Sequence, residues 1–163
     1  MGQRELLLMI GAIMIFGITV LTTNQYVVDQ NEAALRREFE YYSISLAQSY
    51  IEEGKTKAFD ANVIDASPLV PSGFTGSGAL GPEAGEVYPG FDDVDDFNGL
   101  TAVDSTKRSV FYASIQVGYV QEADPETVVG TKTFYKKMTV SVTDSSYMDS
   151  PAQLSYVFGY MKN

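Results

Sequence analysis

Residues 91–100, FDDVDDFNGL, gather a dense set of potential ligands in ten positions. Asp92, Asp93, Asp95, Asp96 and Asn98 offer hard oxygens, the donor type that calcium takes, and a bound cation would relieve the repulsion among the four carboxylates. EF-hand spacing is absent, with no Glu at the required distance and Gly99 out of register. The segment therefore reads first as a solvated acidic loop, with a calcium site as the alternative. Two of its carboxylates could be drawn as general acid and base, but nothing in the sequence supplies the apolar pocket that separates the pKa values of such a pair.

A second conspicuous residue is Glu5, one position ahead of an apolar run. No charged residue occurs from Leu6 to Val28, and these 23 residues rise roughly 35 Å as a helix, enough to cross a hydrocarbon core. An ionisable group beside such a run calls for a partner. Glu5 can also complement its own helix N-terminus and pair loosely with Arg4 in the headgroup layer. A signal peptide would have a shorter apolar core and a small-residue cleavage site, whereas Thr22, Thr23, Asn24 and Gln25 lead into more helical sequence. Leu6 stands where a myristoylation motif needs Ser or Thr. With Arg4 before the run and Asp29 and Glu32 after it, the basic end is expected to stay cytoplasmic.

The 163 residues carry a net charge of −10, and their 11 Lys and Arg are scattered, which argues against nucleic acid as a partner. There is no Cys and no His, so disulfides, thiolate nucleophiles, most zinc sites and His-dependent triads are excluded. The expectation is a protein that is not an enzyme and needs no cofactor, with calcium the one possible ion.

The elements that position these residues follow from periodicity. Val28, Leu35, Phe39, Tyr42, Leu46 and Tyr50 form one helical stripe, and no proline occurs before Pro68, so a nearly continuous helix is expected from Glu5 to Phe59. Gly11 and Gly17 are its weak points, open to local unwinding or to close helix packing. Residues 68–100, rich in Pro, Gly and Ser, read as a long loop, and no basic residue lies between Lys57 and Lys107. Beyond it the period becomes two. Phe111, Ala113, Ile115, Val117 and Tyr119 share one face; Phe134, Met138, Val140 and Val142 share another. Asp124-Pro125 reads as a turn, and AQLSYVFGY at 152–160 as a third strand. The expected fold class is α+β, an antiparallel sheet packed on the C-terminal half of the helix. The segments are 1–28 (apolar helix), 29–60 (amphipathic continuation), 61–107 (acidic Pro/Gly loop region) and 108–163 (sheet). The many Tyr and Phe, spaced as helix or strand faces, read as packing rather than an adhesive or electron-carrying device.

This arrangement, an N-terminal apolar helix with Glu at position five continuing into an amphipathic helix and an antiparallel sheet, resembles type IV pilins and type II secretion pseudopilins. ISLAQSYIEEGKTKAFD at 44–60 is similar to the corresponding stretch of V-type minor pilins. FDDVDDFNGL and KKMTVSVTD, at 91–100 and 136–144, are similar to the Asp-rich loop and basic strand of mannose-sensitive haemagglutinin minor pilins. The resemblance implies a structural subunit of a helical cell-surface filament, with Glu5 paired to the N-terminal amine of Met1 on a neighbouring copy. Its partners would be identical subunits, the membrane before assembly, and other pilins and assembly machinery. It would reside in the inner membrane first and then in an extracellular filament. Alternatives are a minor pilin or pseudopilin that primes or tips the filament, and a membrane-anchored binding domain that does not polymerise. Met1 is either the mature first residue, which keeps Glu5 in register, or the initiator. Thr22 replaces a proline common in the family and the C-terminal disulfide is missing, so neither helix melting nor that staple is implied.

Overall fold

The computed structural model describes residues 2–64, 70–148 and 150–160. The chain divides into two units, Met1–Glu38 and Phe39–Asn163. One helix, α1 (Gln3–Lys55), supplies the first unit and opens the second. It passes through Gly11 and Gly17 without interruption and ends at Lys55, four residues short of the expected Phe59.

The second unit is α+β. Five antiparallel strands, β1 (Thr101–Ser105), β2 (Val110–Gln121), β3 (Asp124–Val129), β4 (Tyr135–Asp144) and β5 (Ala152–Gly159), form one sheet ordered β1-β2-β4-β5. β3 also pairs with β2. The sequence suggested three strands. β1 was hidden at the end of the loop region, and Asp124-Pro125, read as a turn, begins β3. Proline lacks a ladder donor but is tolerated in a short exposed strand at a sheet edge.

Alternation built the core as the period predicts. Phe111, Ala113, Ile115, Val117 and Tyr119 of β2 are buried, and Met138, Val140 and Val142 of β4 lie fully buried, with Ile115 opposite Val140 and Val117 opposite Met138. The helix covers this sheet with Phe39, Ser43, Ala47, Tyr50, Ile51 and Gly54. That face differs from the stripe of large apolar residues read from sequence, because half of it is small. Small residues bring the helix close: a Cβ placed on Gly54 would lie 3.1 Å from Met138 Cε and 3.2 Å from Phe158 Cζ. Near the start of this unit Phe39 and Tyr42 pack on the Phe111 ring, and the Tyr42 hydroxyl donates to Asp104 of β1 at 2.8 Å.

Candidate functional site

The loop between helix and sheet is not the solvated acidic surface its composition suggested. Asp92 is exposed, but Asp93, Asp95 and Asp96 are at most 1 % exposed. Two local devices fold the segment. Asp93 Oδ1 accepts from the N–H groups of Asp95 and Asp96 at 2.7 and 3.2 Å, while Asp96 Oδ2 accepts from those of Asp92 and Asp93 at 3.0 and 3.2 Å. Such side chain to backbone bonds favour a tight turn over helix or strand. A parallel bridge between Ala58 and Asp93 then ties the turn to the chain just beyond α1. At its other end Asn98 Oδ1 accepts from the Val117 N–H of β2 at 2.9 Å, and its amide donates to the Leu80 carbonyl at 3.0 Å. Gly99, at φ 84°, makes the left-handed bend into β1 that a residue with a Cβ rarely adopts.

Beneath this turn lies a buried cation. Lys136 is 0 % exposed, and its ammonium donates to the Phe59 carbonyl at 2.8 Å, to Asp60 Oδ2 at 2.8 Å and to Asp95 Oδ1. The Phe59 ring lies 4.7 Å from the same nitrogen. Asp60 Oδ1 also receives the N–H groups of Asn62 and Thr75. Burial alone drives the Asp60 carboxyl up, but Lys136 and these donors together hold it below the usual carboxylate range. Asp95 moves the other way, because its desolvation outweighs Lys136. The Tyr119 hydroxyl donates to the Thr75 carbonyl at 2.7 Å, and burial beside these acids raises its pKa. Three segments distant in sequence are thereby fastened at one point: the chain after α1, the acidic loop and β4.

The carboxylates above that point are less well served. Asp93 Oδ2, Asp95 Oδ2 and Asp96 Oδ1 are buried without a hydrogen-bond partner. One carboxylate oxygen from each of Asp92, Asp93 and Asp96 lies within 4.8 Å of the others, and the same holds for Glu83, Glu86 and Asp96. Glu86 is placed by a turn in which its carboxylate accepts from the Glu83 N–H at 3.2 Å. Desolvation, then the charges of Asp95 and Asp96, push Asp93 up to about 8. Glu83 is pushed up to about 7 by desolvation and by hydrogen bonding with Glu86 and Asp96.

Of the five residues read from sequence as calcium candidates, the structure brings Asp92, Asp93 and Asp96 together. Asp95 is engaged by Lys136 and Asn98 by the backbone. Glu83 and Glu86 went unnoticed, since a Pro/Gly-rich loop has no period from which to place a side chain. Lys136 and Asp60 were also missed, although a signal existed: position 136 shares its strand parity with Met138, Val140 and Val142, so a lysine fell on the core face.

In the first unit, Glu5 Oε2 accepts from the Gly2 N–H at 3.1 Å, and the Glu5 N–H donates to the Gly2 carbonyl at 3.0 Å. The carboxylate thus complements the helix start. Met1, the other half of the expected assembly contact, lies outside the described residues. The helix is long and apolar enough to cross a membrane, and its apolar window holds no buried residue. Leu8 and Phe16, for example, are 75 % and 72 % exposed.

No family model matches the chain, and neither the curated proteins nor the solved structures compared with it give a significant match. A long apolar N-terminal helix whose later turns pack on an antiparallel sheet is nevertheless a pilin-like architecture, and the apolar part fits a membrane anchor.

Proposed function

We propose that this chain is a structural subunit of a helical cell-surface filament, held in the inner membrane by its N-terminal helix and then assembled through it outside the cell. The observation that carries the reading is the apolar helix itself, uncharged from Leu6 to Val28 and without a buried residue in its apolar window. Such a surface needs either lipid or other helices around it, and head-to-tail packing that does not close on itself supplies helices in an open polymer. Within it, Glu5 would turn from its own Gly2 N–H to the N-terminal amine of an adjoining copy.

A second reading, a membrane-anchored domain that does not polymerise, is favoured by the Gly2–Glu5 hydrogen bond, which occupies the carboxylate within one chain. Glu5→Ala and Glu5→Gln separate the two. The filament reading expects sheared surface filaments to disappear from electron micrographs while the subunit persists in the membrane fraction. Filaments at wild-type abundance in both variants would end the role given to Glu5, and their absence from the wild type would favour the anchored domain. A minor subunit that primes or tips the polymer would appear in those filaments at a small fraction of the major subunit.

A further inference from the structure

We propose that the carboxylates gathered around Asp96 bind a hard divalent cation of the calcium class, with Asp92, Asp93 and Asp96 as primary ligands and Glu83 and Glu86 contributing further oxygens. The proposal is independent of filament assembly. Acidic residues on a loop are common without an ion, so the decisive observation is the condition of the oxygens. Asp93 and Asp96 each commit one oxygen to the turn that they cap for each other. Among the described residues the second oxygen of each is buried and meets no N–H, hydroxyl or ammonium donor. Leaving a buried carboxyl oxygen without a donor is costly, and two such oxygens, Asp93 Oδ2 and Asp96 Oδ1, belong to the proposed ligands.

Protein cations among the described residues do not meet this need. Among the described residues no Lys or Arg forms an ion pair with Asp92, Asp93 or Asp96. Lys136, the nearest buried ammonium, is spent on Asp60, Asp95 and the Phe59 carbonyl. Lys57 gives its ammonium to the Phe91 carbonyl at 2.7 Å.

The spacing within each trio suits an ion. Calcium sits about 2.3–2.6 Å from its oxygens, so two ligands of one ion can be no more than about 5 Å apart. The oxygens of Asp92, Asp93 and Asp96 lie within 4.8 Å of one another, as do those of Glu83, Glu86 and Asp96. Asp96 belongs to both sets, so carboxylates from two loop segments lie beside it. Calcium fits such a site better than magnesium, which demands near-ideal octahedral geometry and dehydrates reluctantly. The rival occupants are protons, one shared between Glu83 and Asp96 and one held by Asp93 beside Asp95.

The test uses the full chain in detergent, stripped with a chelator, exchanged into alkaline buffer and titrated with calcium chloride, with magnesium chloride and sodium chloride as controls. Calorimetry should show saturable calcium binding, and a calcium excess of about 100-fold over Kd should raise the melting temperature by roughly 5 °C or more. Asp92→Asn alters an exposed side chain and should melt like wild type in chelator, yet bind calcium roughly tenfold more weakly or worse, because affinity follows ligand charge. Glu83→Gln should weaken binding in the same direction. Calcium giving no more than the salt controls would overturn the proposal in favour of the protons. Wild-type calcium affinity in both variants would overturn it by placing the ion elsewhere.

Discussion

The two units of this chain solve opposite problems. Phe39–Asn163 buries charge: a lysine at 0 % exposure lies between two aspartates that are themselves at most 1 % exposed. Met1–Glu38 does the reverse, leaving Leu8 three-quarters exposed in a helix with no buried residue in its apolar window. In the first case the chain itself supplies the counter-charge, Lys136, for Asp60 and Asp95. In the second the missing surroundings have to come from outside. The difference separates two kinds of substitution, those felt by one isolated molecule and those felt only where lipid or other copies are present.

The largest expected effect breaks the ion pairs buried inside the second unit. Lys136→Ala would leave Asp60 and Asp95 buried without their common cation, and removing one partner of a buried ion pair costs about 3–5 kcal/mol. Circular-dichroism melts of the full chain in detergent should fall by roughly 10 °C, or show no cooperative transition at all. Melting as in the wild type would mean that the three charges do not depend on one another.

Ile13→Arg addresses the other half. This residue is 63 % exposed in the apolar helix, so the head should melt unchanged. A membrane-spanning stem would instead lose about 2.5–3.5 kcal/mol of insertion free energy with a charge near its centre, seen as less protein in the carbonate-resistant membrane fraction. Paired with Lys136→Ala, the variant should reverse the readouts: stable head and poor membrane retention, against retained stem and unstable head. If Ile13→Arg lowered the melting temperature of the head, the division between the units would be wrong.

How far the sequence disclosed this division depended on period. Alternation in β2 and β4 identified the core face because the buried residues there are large and regularly spaced, and the run from Leu6 to Val28 declared itself by lacking charge. The helix face over the sheet was harder to read. Ser43, Ala47 and Gly54 carry little apolar weight, so a stripe drawn through large residues moved off the true contact. The acidic loop was read as solvated from composition, whereas burial there comes from tertiary neighbours, Lys136 above all, that local sequence does not display. Strand β3 was masked by a proline, and β1 by its position at the end of a loop-rich segment. Glu5 was visible at once, yet the same residue serves a helix terminus in one chain and an amine on another, and a single sequence does not choose between them.

The smallest expected effect sharpens the contrast inside the head, where another buried aspartate has donors on both of its oxygens. Asp144, 7 % exposed at the end of β4, accepts from the Ser109 hydroxyl at 2.8 Å, from the Tyr147 N–H at 3.0 Å and from the Met148 N–H at 2.7 Å. Burial alone pushes its carboxyl up, but these donors together hold it below the usual carboxylate range. Because the folded pKa is depressed, the stability it contributes is fully present above the unfolded value of about 3.9 and disappears as pH falls through the folded value beneath it. Asp144→Asn keeps one oxygen for the Tyr147 and Met148 N–H groups but loses the charge and turns an NH2 group toward the Ser109 hydroxyl, so it should cost about 1–2 kcal/mol at neutral pH. Urea titrations from neutral to strongly acidic pH should show the gap between wild type and variant shrinking only in the most acidic part of that range. A gap that stayed constant would mean that the ionised carboxylate is not what holds the corner between β4 and the residues after it.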